Sequence, residues 1–342
     1  MHLGMSSNPS VSIILLNWNS AEHTIECIES LLQIIYDNFD IIVIDNNSGA
    51  QDIELIKEYA EGNVIVDPLF GEYSTDNKPL SLDISDIEEL SFDDIEEKEN
   101  YDQSITLIKN NSNDGFPGGC NIGINYALQN ESDYILLLNN DVVVDKSFLN
   151  RLVDALETNP SAGIAGSKIY YYDDPKRIQS IGGDMIWWMF WPLDYGMGEI
   201  DSGKHSNIEE RDFVWATSQL IDTSVFNEVG LLDEEFFFGI EEYDLCDRAK
   251  RAGYSILFIP NSKIWHKGSA SAKKLDKYPD TRSMIQSETG FLDYKLVRHA
   301  VRKHYGGYKW IVPFILRYFA LLLNIIRHKS PFGKNRDGKN NI

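Results

Sequence analysis

Four short, almost wholly apolar runs punctuate the first half of this 342-residue chain: SVSIILL (10–16), DIIVID (40–45), ITLI (105–108) and DYILLLNND (133–141). A strand that is apolar on both sides has no face for water, so such runs belong in a parallel sheet covered by helices on both faces. Helical periodicity fills the spaces between them. It runs from Ser20 as N-cap to about Gln33, from Asp52 to Ala60, from GFPGG (115–119) to about Gln129, and from Lys146 to Glu157 before Pro160. NVIV (63–66), GIAGSKIYYY (163–172), FVWATSQLI (213–221) and SILFIP (255–260) read as further strands, and Glu241 to Ala252 as a helix ended near Gly253. The alternation predicts an α/β fold with a mostly parallel, Rossmann-like sheet.

Three segments depart from this rhythm. Residues 67–104 hold thirteen acids and two lysines and read as an acidic surface insertion, partly disordered. Residues 173–212 are rich in Gly and Trp and read as irregular. From about 288 the chain is helical and basic, with eleven Lys or Arg after residue 289 against two acids, Asp293 and Asp337. The expected organisation is a catalytic domain over 1–285 and a helical basic extension over 286–342.

The net charge of −22 excludes a general nucleic-acid binder, which needs a basic face. Cys27, Cys120 and Cys246 lie far apart and fit neither a disulfide framework nor a thiolate zinc site, so a reducing compartment is expected. MHLGMSSNPS reads as no export leader, and Val11 to Leu16 is too brief to span a membrane. A cytoplasmic protein is the expectation.

Five motifs carry chemistry. LLLNNDVVVD (136–145) releases Asn139, Asn140 and Asp141 at the carboxyl edge of a buried strand, where open α/β sheets bind ligands. A carboxylate there suits a hard divalent cation with phosphate oxygens completing its shell, or merely turns the chain. SIILLNWNS (12–20) and IIVIDNNS (41–48) open at the same edge. Asn17, Asn19 and Asp45 there either contact a nucleotide or form Asx turns. The glycines of NDGFPGGCNIG (113–123) allow close backbone approach at a helix N-terminus, or close packing of helix on sheet. Glu241, Glu242 and Asp244 open a helix, where acids are favoured electrostatically, or supply a general base. His266 follows a strand, either as a structural histidine or as a phosphate or metal contact.

Taken in order, VSIILLNWN, IIVIDNNS, NDGFPGGCNIGI, ILLLNNDVVV, GLLDEEFFFGIEEYDLCDRAKRAGY and IWHKGSAS resemble the inverting family-2 glycosyltransferases of the GT-A fold, especially the rhamnosyltransferase-like branch. The likeness covers about residues 10–270. It implies a nucleotide-diphosphate sugar donor and Mg²⁺ or Mn²⁺. Asp141 and His266 match the metal positions. The donor contacts would be Asn17, Asn19, Asp45, Asn47, Asn113, Gly115, Gly119, Asn139 and Asn140. Glu241-Glu242 matches the pair whose second member is the base, here Glu242, with Glu241 and Asp244 as alternatives. Asn139 departs from the family's first acid, which leaves Asp141 the firmer ligand.

The acceptor is expected to be a glycan or a lipid-linked hydroxyl, bound in a groove lined by Trp187, Trp188 and Trp215 if these are not core. WIVPFILRYFALLLNII (310–326) reads as an amphipathic segment on an anionic membrane surface, or as a helix packed on the body or at a homo-oligomer interface. Two rivals weigh less. A sugar-phosphate nucleotidyltransferase needs a basic, Gly-rich loop after the first strand, which Asn17-Trp18-Asn19-Ser20 does not offer. An inactive sugar-binding scaffold has no need of Asp141, Glu242 and His266 together.

Overall fold

The computed structural model describes residues 8–64, 81–86, 104–187, 191–268, 294–316 and Phe319. Its main sheet has the order β11-β13-β7-β12-β5-β1-β2-β4-β3, with β6 paired to β13 and β8 to β7. The parallel half contains β1 (Val11–Asn17), β2 (Phe39–Asn46), β3 (Ser81–Asp86), β4 (Ser104–Asn110) and β5 (Tyr134–Asn139). β1 pairs in parallel with both β2 and β5.

The apolar runs are explained by two cores. Val11, Ile13 and Leu15 of β1 enter one face with Ile41 and Val43 of β2, while Ile14, Ile42 and Ile44 enter the other. The first face is covered by α1 (Ala21–Leu31), α2 (Ala50–Ala60) and α4 (Phe148–Thr158). The second is covered by α3 (Gly115–Gln129), α5 (Thr223–Val229), α6 (Glu241–Ala252) and α7 (Tyr294–Tyr305). Strand side chains alternate between faces, so a sheet with two dry faces needs an unbroken apolar run.

The far half of the sheet is mixed. β12 (Ser218–Asp222) lies antiparallel between β5 and β7 (Ala162–Tyr171). β13 (Ser255–His266) runs parallel to β7 with a register shift between Ile259 and Lys263. Beyond that bulge it pairs antiparallel with β6 (Val142–Val144), setting His266 opposite Val142. The strand anticipated to stop at Pro260 therefore continues: proline lacks an N–H to donate, and it sits at the shift.

Several boundaries differ from the sequence reading. Asn63 and Val64 of the anticipated NVIV strand lie outside any strand, and Ile65 and Val66 fall outside the described residues. The edge place goes instead to β3, which comes from within 67–104 and pairs in parallel with β4. The rest of the insertion is outside the described residues, as are Trp188 and 320–342. FVWATSQLI becomes a strand only from Ser218. The region read as irregular contains β8 (Ile178–Ser180), the β9 (Gly183–Ile186) and β10 (Trp191–Asp194) hairpin, and β11 (Glu209–Arg211). α5 was not anticipated; Asp222 caps it by accepting from the Ser224 N–H at 2.8 Å. Among the described residues no helix is long and apolar enough to cross a membrane.

Candidate active site

The parallel strands deliver their polar ends to one rim. Asn17 stands beside Asp45, and Leu16 beside Asn139. Asn17 is fully buried: its amide donates to Asp45 Oδ1 at 2.9 Å and Ser48 Oγ at 3.2 Å, and its oxygen accepts from Thr24 at 2.8 Å. Asn140 continues the chain by donating to Thr24 Oγ1 at 2.8 Å. Asp45 Oδ2 accepts from the Ser48 N–H at 3.0 Å, and Asn19 Oδ1 from the Gly49 N–H at 3.0 Å. Asn19 and Asn47 take positive φ, of 50° and 63°. Asx-turn chemistry is thus present at this rim, and it links the ends of β1, β2 and β5 through a closed network.

Asp141 lies in the two-residue turn between β5 and β6, and β13 brings His266 to it, with Nε2 3.1 Å from Asp141 Oδ1 and 3.3 Å from Asn139 Nδ2. On the other side of the ring, Nδ1 lies 2.8 Å from Gln179 Oε1. With Nδ1–H donating to Gln179, Nε2 faces the carboxylate, where a proton or a cation can lie between them. The Gln179 bond orients the ring as outer partners orient metal-ligating histidines. Burial opposes the Asp141 charge, but His266, His23 and Lys267 outweigh it and hold the carboxyl below its ordinary range. Among the described residues no three His, Cys, Asp or Glu form a ready-made metal cluster. The donor set fits an ion that takes one carboxylate and one imidazole from protein and its remaining oxygens from phosphate.

Lys267 follows His266. Its N–H donates to the Asp141 carbonyl at 3.0 Å, and its ammonium contacts Glu26 and lies 2.8 Å from His23 Nδ1. In sequence this lysine stands out only as the residue after His266 in IWHKGSAS. Its closeness to Asp141 depends on the antiparallel β6–β13 pairing, which no local signal announces.

The second acidic group stands at the start of α6. Gly239 and Ile240 both take positive φ, of 82° and 85°, and a β-branched residue there is strained. This turn directs Glu241 and Glu242 into the cavity rim, though they are only 4% and 3% exposed. Burial drives both carboxyls up, Glu242 to about 7 and Glu241 well above its usual value, the latter aided by repulsion from Glu242. The two carboxyls are adjacent, and Glu241 Oε2 is buried with no hydrogen-bond partner. Asp244, one turn on, is elsewhere: it accepts from Arg248 at 2.8 Å and pairs with Lys303 at 2.8 Å, anchoring α7. That commitment removes it from the cavity lining.

A cavity of about 290 Å³ joins these groups, lined by Asn139, His266, Glu241, Glu242, Asp194 and Trp215 among others. Trp215 is an acceptor candidate that does reach the cavity. Trp187 does not: it stacks on His304 at 4.0 Å, and Trp188 is outside the described residues. Asp194 was missed. It accepts from Ser180 at 2.6 Å and from the Trp215 indole at 2.9 Å, and burial raises it to about 6. It sits in the region read as irregular, where no periodicity pointed inward.

The glycine loop works by packing. A Cβ on Gly115, at φ +74°, would lie 2.2 Å from the Phe237 carbonyl, and one on Gly119 2.4 Å from Leu16 Cδ1. The Phe116 N–H at the start of α3 donates to that Phe237 carbonyl at 2.9 Å. The helix start therefore holds the acid-bearing loop. Asn113 braces it by accepting from Asn46 at 3.0 Å and from the Gly115 N–H at 3.1 Å. Asn46, fully committed in this brace, was also missed.

A rim of carboxylates and amides at the switch from parallel to mixed sheet stands where open α/β proteins bind ligands. The family model for "Glycosyl transferase family 2" matches residues 12–69 and 92–217, and the chain belongs to that family. Among curated relatives, an N-acetylglucosaminyl-diphospho-decaprenol L-rhamnosyltransferase of Mycobacterium tuberculosis is 24% identical over 208 residues, 48% of this chain and 66% of its own length. The low-salt glycan biosynthesis hexosyltransferase Agl10 of Haloferax volcanii is 26% identical over 153 residues, 44% of this chain and 48% of its own length. An uncharacterized protein, y4gI, of Sinorhizobium fredii is 25% identical over 86% of this chain but only 28% of its own length. The chain thus spans about a quarter to two thirds of these relatives. Among solved structures, GalNAc-T7 with UDP, GalNAc and Mn²⁺ matches 95% of this chain and 59% of its own, with TM-score 0.54 and 15% identity. S. aureus TarS matches 91% and 44%, with TM-score 0.52 and 12% identity. The shared fold is the GT-A fold expected from sequence.

Proposed function

We propose that this chain moves a sugar from a nucleotide-diphosphate donor to a hydroxyl of a glycan or lipid-linked acceptor, with inversion at the anomeric carbon. The observation that carries the reading is one cavity lined by Asn139 and by His266, which stands beside Asp141, and also by Glu241 and Glu242. Glu242 takes the proton of the acceptor hydroxyl. The freed oxygen attacks the anomeric carbon opposite the leaving diphosphate, forming one C–O bond as the other breaks. A base raised to about 7 by burial holds that proton well near neutral pH. Asn17, Asp45 and Asn139 orient the donor, and Asp141 with His266 would hold Mg²⁺ or Mn²⁺, whose positive charge would offset the negative charge of the leaving diphosphate. Trp215 and Asp194 face the acceptor side. GalNAc-T7 and an archaeal mannosyltransferase have been solved with nucleotide or nucleotide sugar and Mn²⁺, which supports this donor class. The decaprenol-linked substrate in the name of the mycobacterial relative supports a lipid-linked acceptor.

A melting-temperature screen of UDP-, GDP- and dTDP-sugars, with and without Mn²⁺, tests the reading. One donor class is expected to raise the melting temperature only when metal is present, because a ligand that binds the folded state stabilises it by mass action. No shift with any nucleotide sugar, or an equal shift without metal, defeats it.

A further inference from the structure

The basic C-terminal region divides its charges between two faces. On the inner face, His299 and Lys303 pair with Asp233, Lys303 also with Asp244, and His304 with Asp247, while Ala300 and Val301 enter the core beside α6. On the outer face, Arg298, Arg302 and Lys309 are exposed and have no carboxylate partner among the described residues. The two guanidinium groups lie 5.6 Å and 5.8 Å from the centre of the Trp310 ring.

The segment that follows repeats the division. Residues 311–316 are helical, and Trp310 and Phe314 pack onto the core. Ile311, Val312 and Ile315 face outward at 43%, 63% and 59% exposure, flanked by Tyr308 at 80% and Phe319 at 58%. The spacing is helical, so these side chains form one stripe, and three cations border it. Apolar side chains beside exposed arginine, lysine and an aromatic ring match the chemistry of a helix lying in the headgroup layer of an anionic bilayer. The rest of the molecule is strongly acidic and would be repelled by such a surface, so only this face can approach it. A second copy fits less well, because an isologous contact sets the same cations against one another.

We infer that this outer face, the Tyr308–Phe319 stripe with Arg298, Arg302 and Lys309, docks the protein on an anionic membrane surface. Through Lys303 and Asp244, the docked helix connects one turn along α6 from Glu241 and Glu242. A lipid-borne acceptor would therefore be met near the base. The docking itself is independent of the transfer chemistry, since it is read without any sugar donor.

Flotation of the full chain with phosphatidylcholine vesicles, with and without phosphatidylglycerol, tests it. Binding is expected only to the anionic vesicles and is expected to fall as salt rises. Arg298→Glu with Arg302→Glu is expected to weaken binding by on the order of fivefold or more per residue. Ile311→Glu with Ile315→Glu is expected to abolish it, with melting temperatures confirming that both variants fold. Failure of the wild type to float with anionic vesicles overturns the proposal, as does binding that both variants retain. A wild-type dimer that Ile311→Glu with Ile315→Glu dissociates, without vesicle binding, assigns the stripe to a second copy instead. The salt dependence of the wild type serves as a readout free of any substitution.

Discussion

Asp141 and the Glu241–Glu242 pair are withdrawn from water to nearly the same degree, at 7%, 4% and 3% exposure, yet their protons move in opposite directions. Burial alone pushes each carboxyl up. At Asp141, His266, His23 and Lys267 reverse that push, and the group stays charged. Beside Glu241 and Glu242 no cation among the described residues answers, so Glu242 rises to about 7 and Glu241 is pushed well above its usual value. Equal burial with unequal partners divides the two groups: Asp141 keeps its negative charge, and Glu242 exchanges its proton near neutral pH.

The strongest test of this contrast removes the exchangeable proton site. Glu242→Gln is expected to lower turnover by about 10²–10⁴-fold while leaving donor affinity nearly intact, as measured by transfer assay and isothermal titration. In the wild type, turnover is expected to fall as pH drops below about 7, where Glu242 gains its proton. At the opposite end, Asp141→Ala is expected to weaken donor binding on the order of ten- to a hundredfold with Mn²⁺ present, and little without it.

A stability measurement sharpens the same comparison. The folded state holds the Glu242 proton between the ordinary value of 4.5 and about 7, where the unfolded chain releases it, so this residue costs stability as pH rises through that window. Glu242→Gln is therefore expected to unfold less readily than wild type above neutral pH, by roughly 1–3 kcal/mol, with the gap closing in acid, as followed by denaturant titration. Asp244→Asn is expected to cost roughly 1–3 kcal/mol through its lost ion pairs but to leave turnover within a few-fold, separating it from the base. The smallest effect is expected for Glu241→Gln. Burial already disfavours charge on Glu241, so a neutral amide there is expected to leave kinetics close to wild type, and a loss as large as that of Glu242→Gln would exchange the two roles.

The parallel half of the fold was legible because each of its strands must be apolar on both sides, and the alternating faces of Val11 to Leu15 match the two cores. The pair Asp45 and Asn17 was legible for the same reason, since residues at the ends of adjacent parallel strands share one edge. Where pairing turns antiparallel and strands shorten, that reasoning ends. Asp194 sits on a four-residue strand of a hairpin, and β3 lies inside a segment whose acids masked its strand character.

From its sequence alone, then, the chain determined a two-faced sheet, the order of its polar exits and the presence of acids at Asp141 and Glu242, because periodicity and local turn chemistry are properties of neighbouring residues. Tertiary structure decided what those acids became. A bulged β13 set His266 against Asp141, and a strained Gly239–Ile240 turn, held down by the close approach that Gly115 permits, buried Glu242 away from any cation. Charge state depends on what lies across space, and partners brought together from 125 residues apart leave no trace in a local pattern.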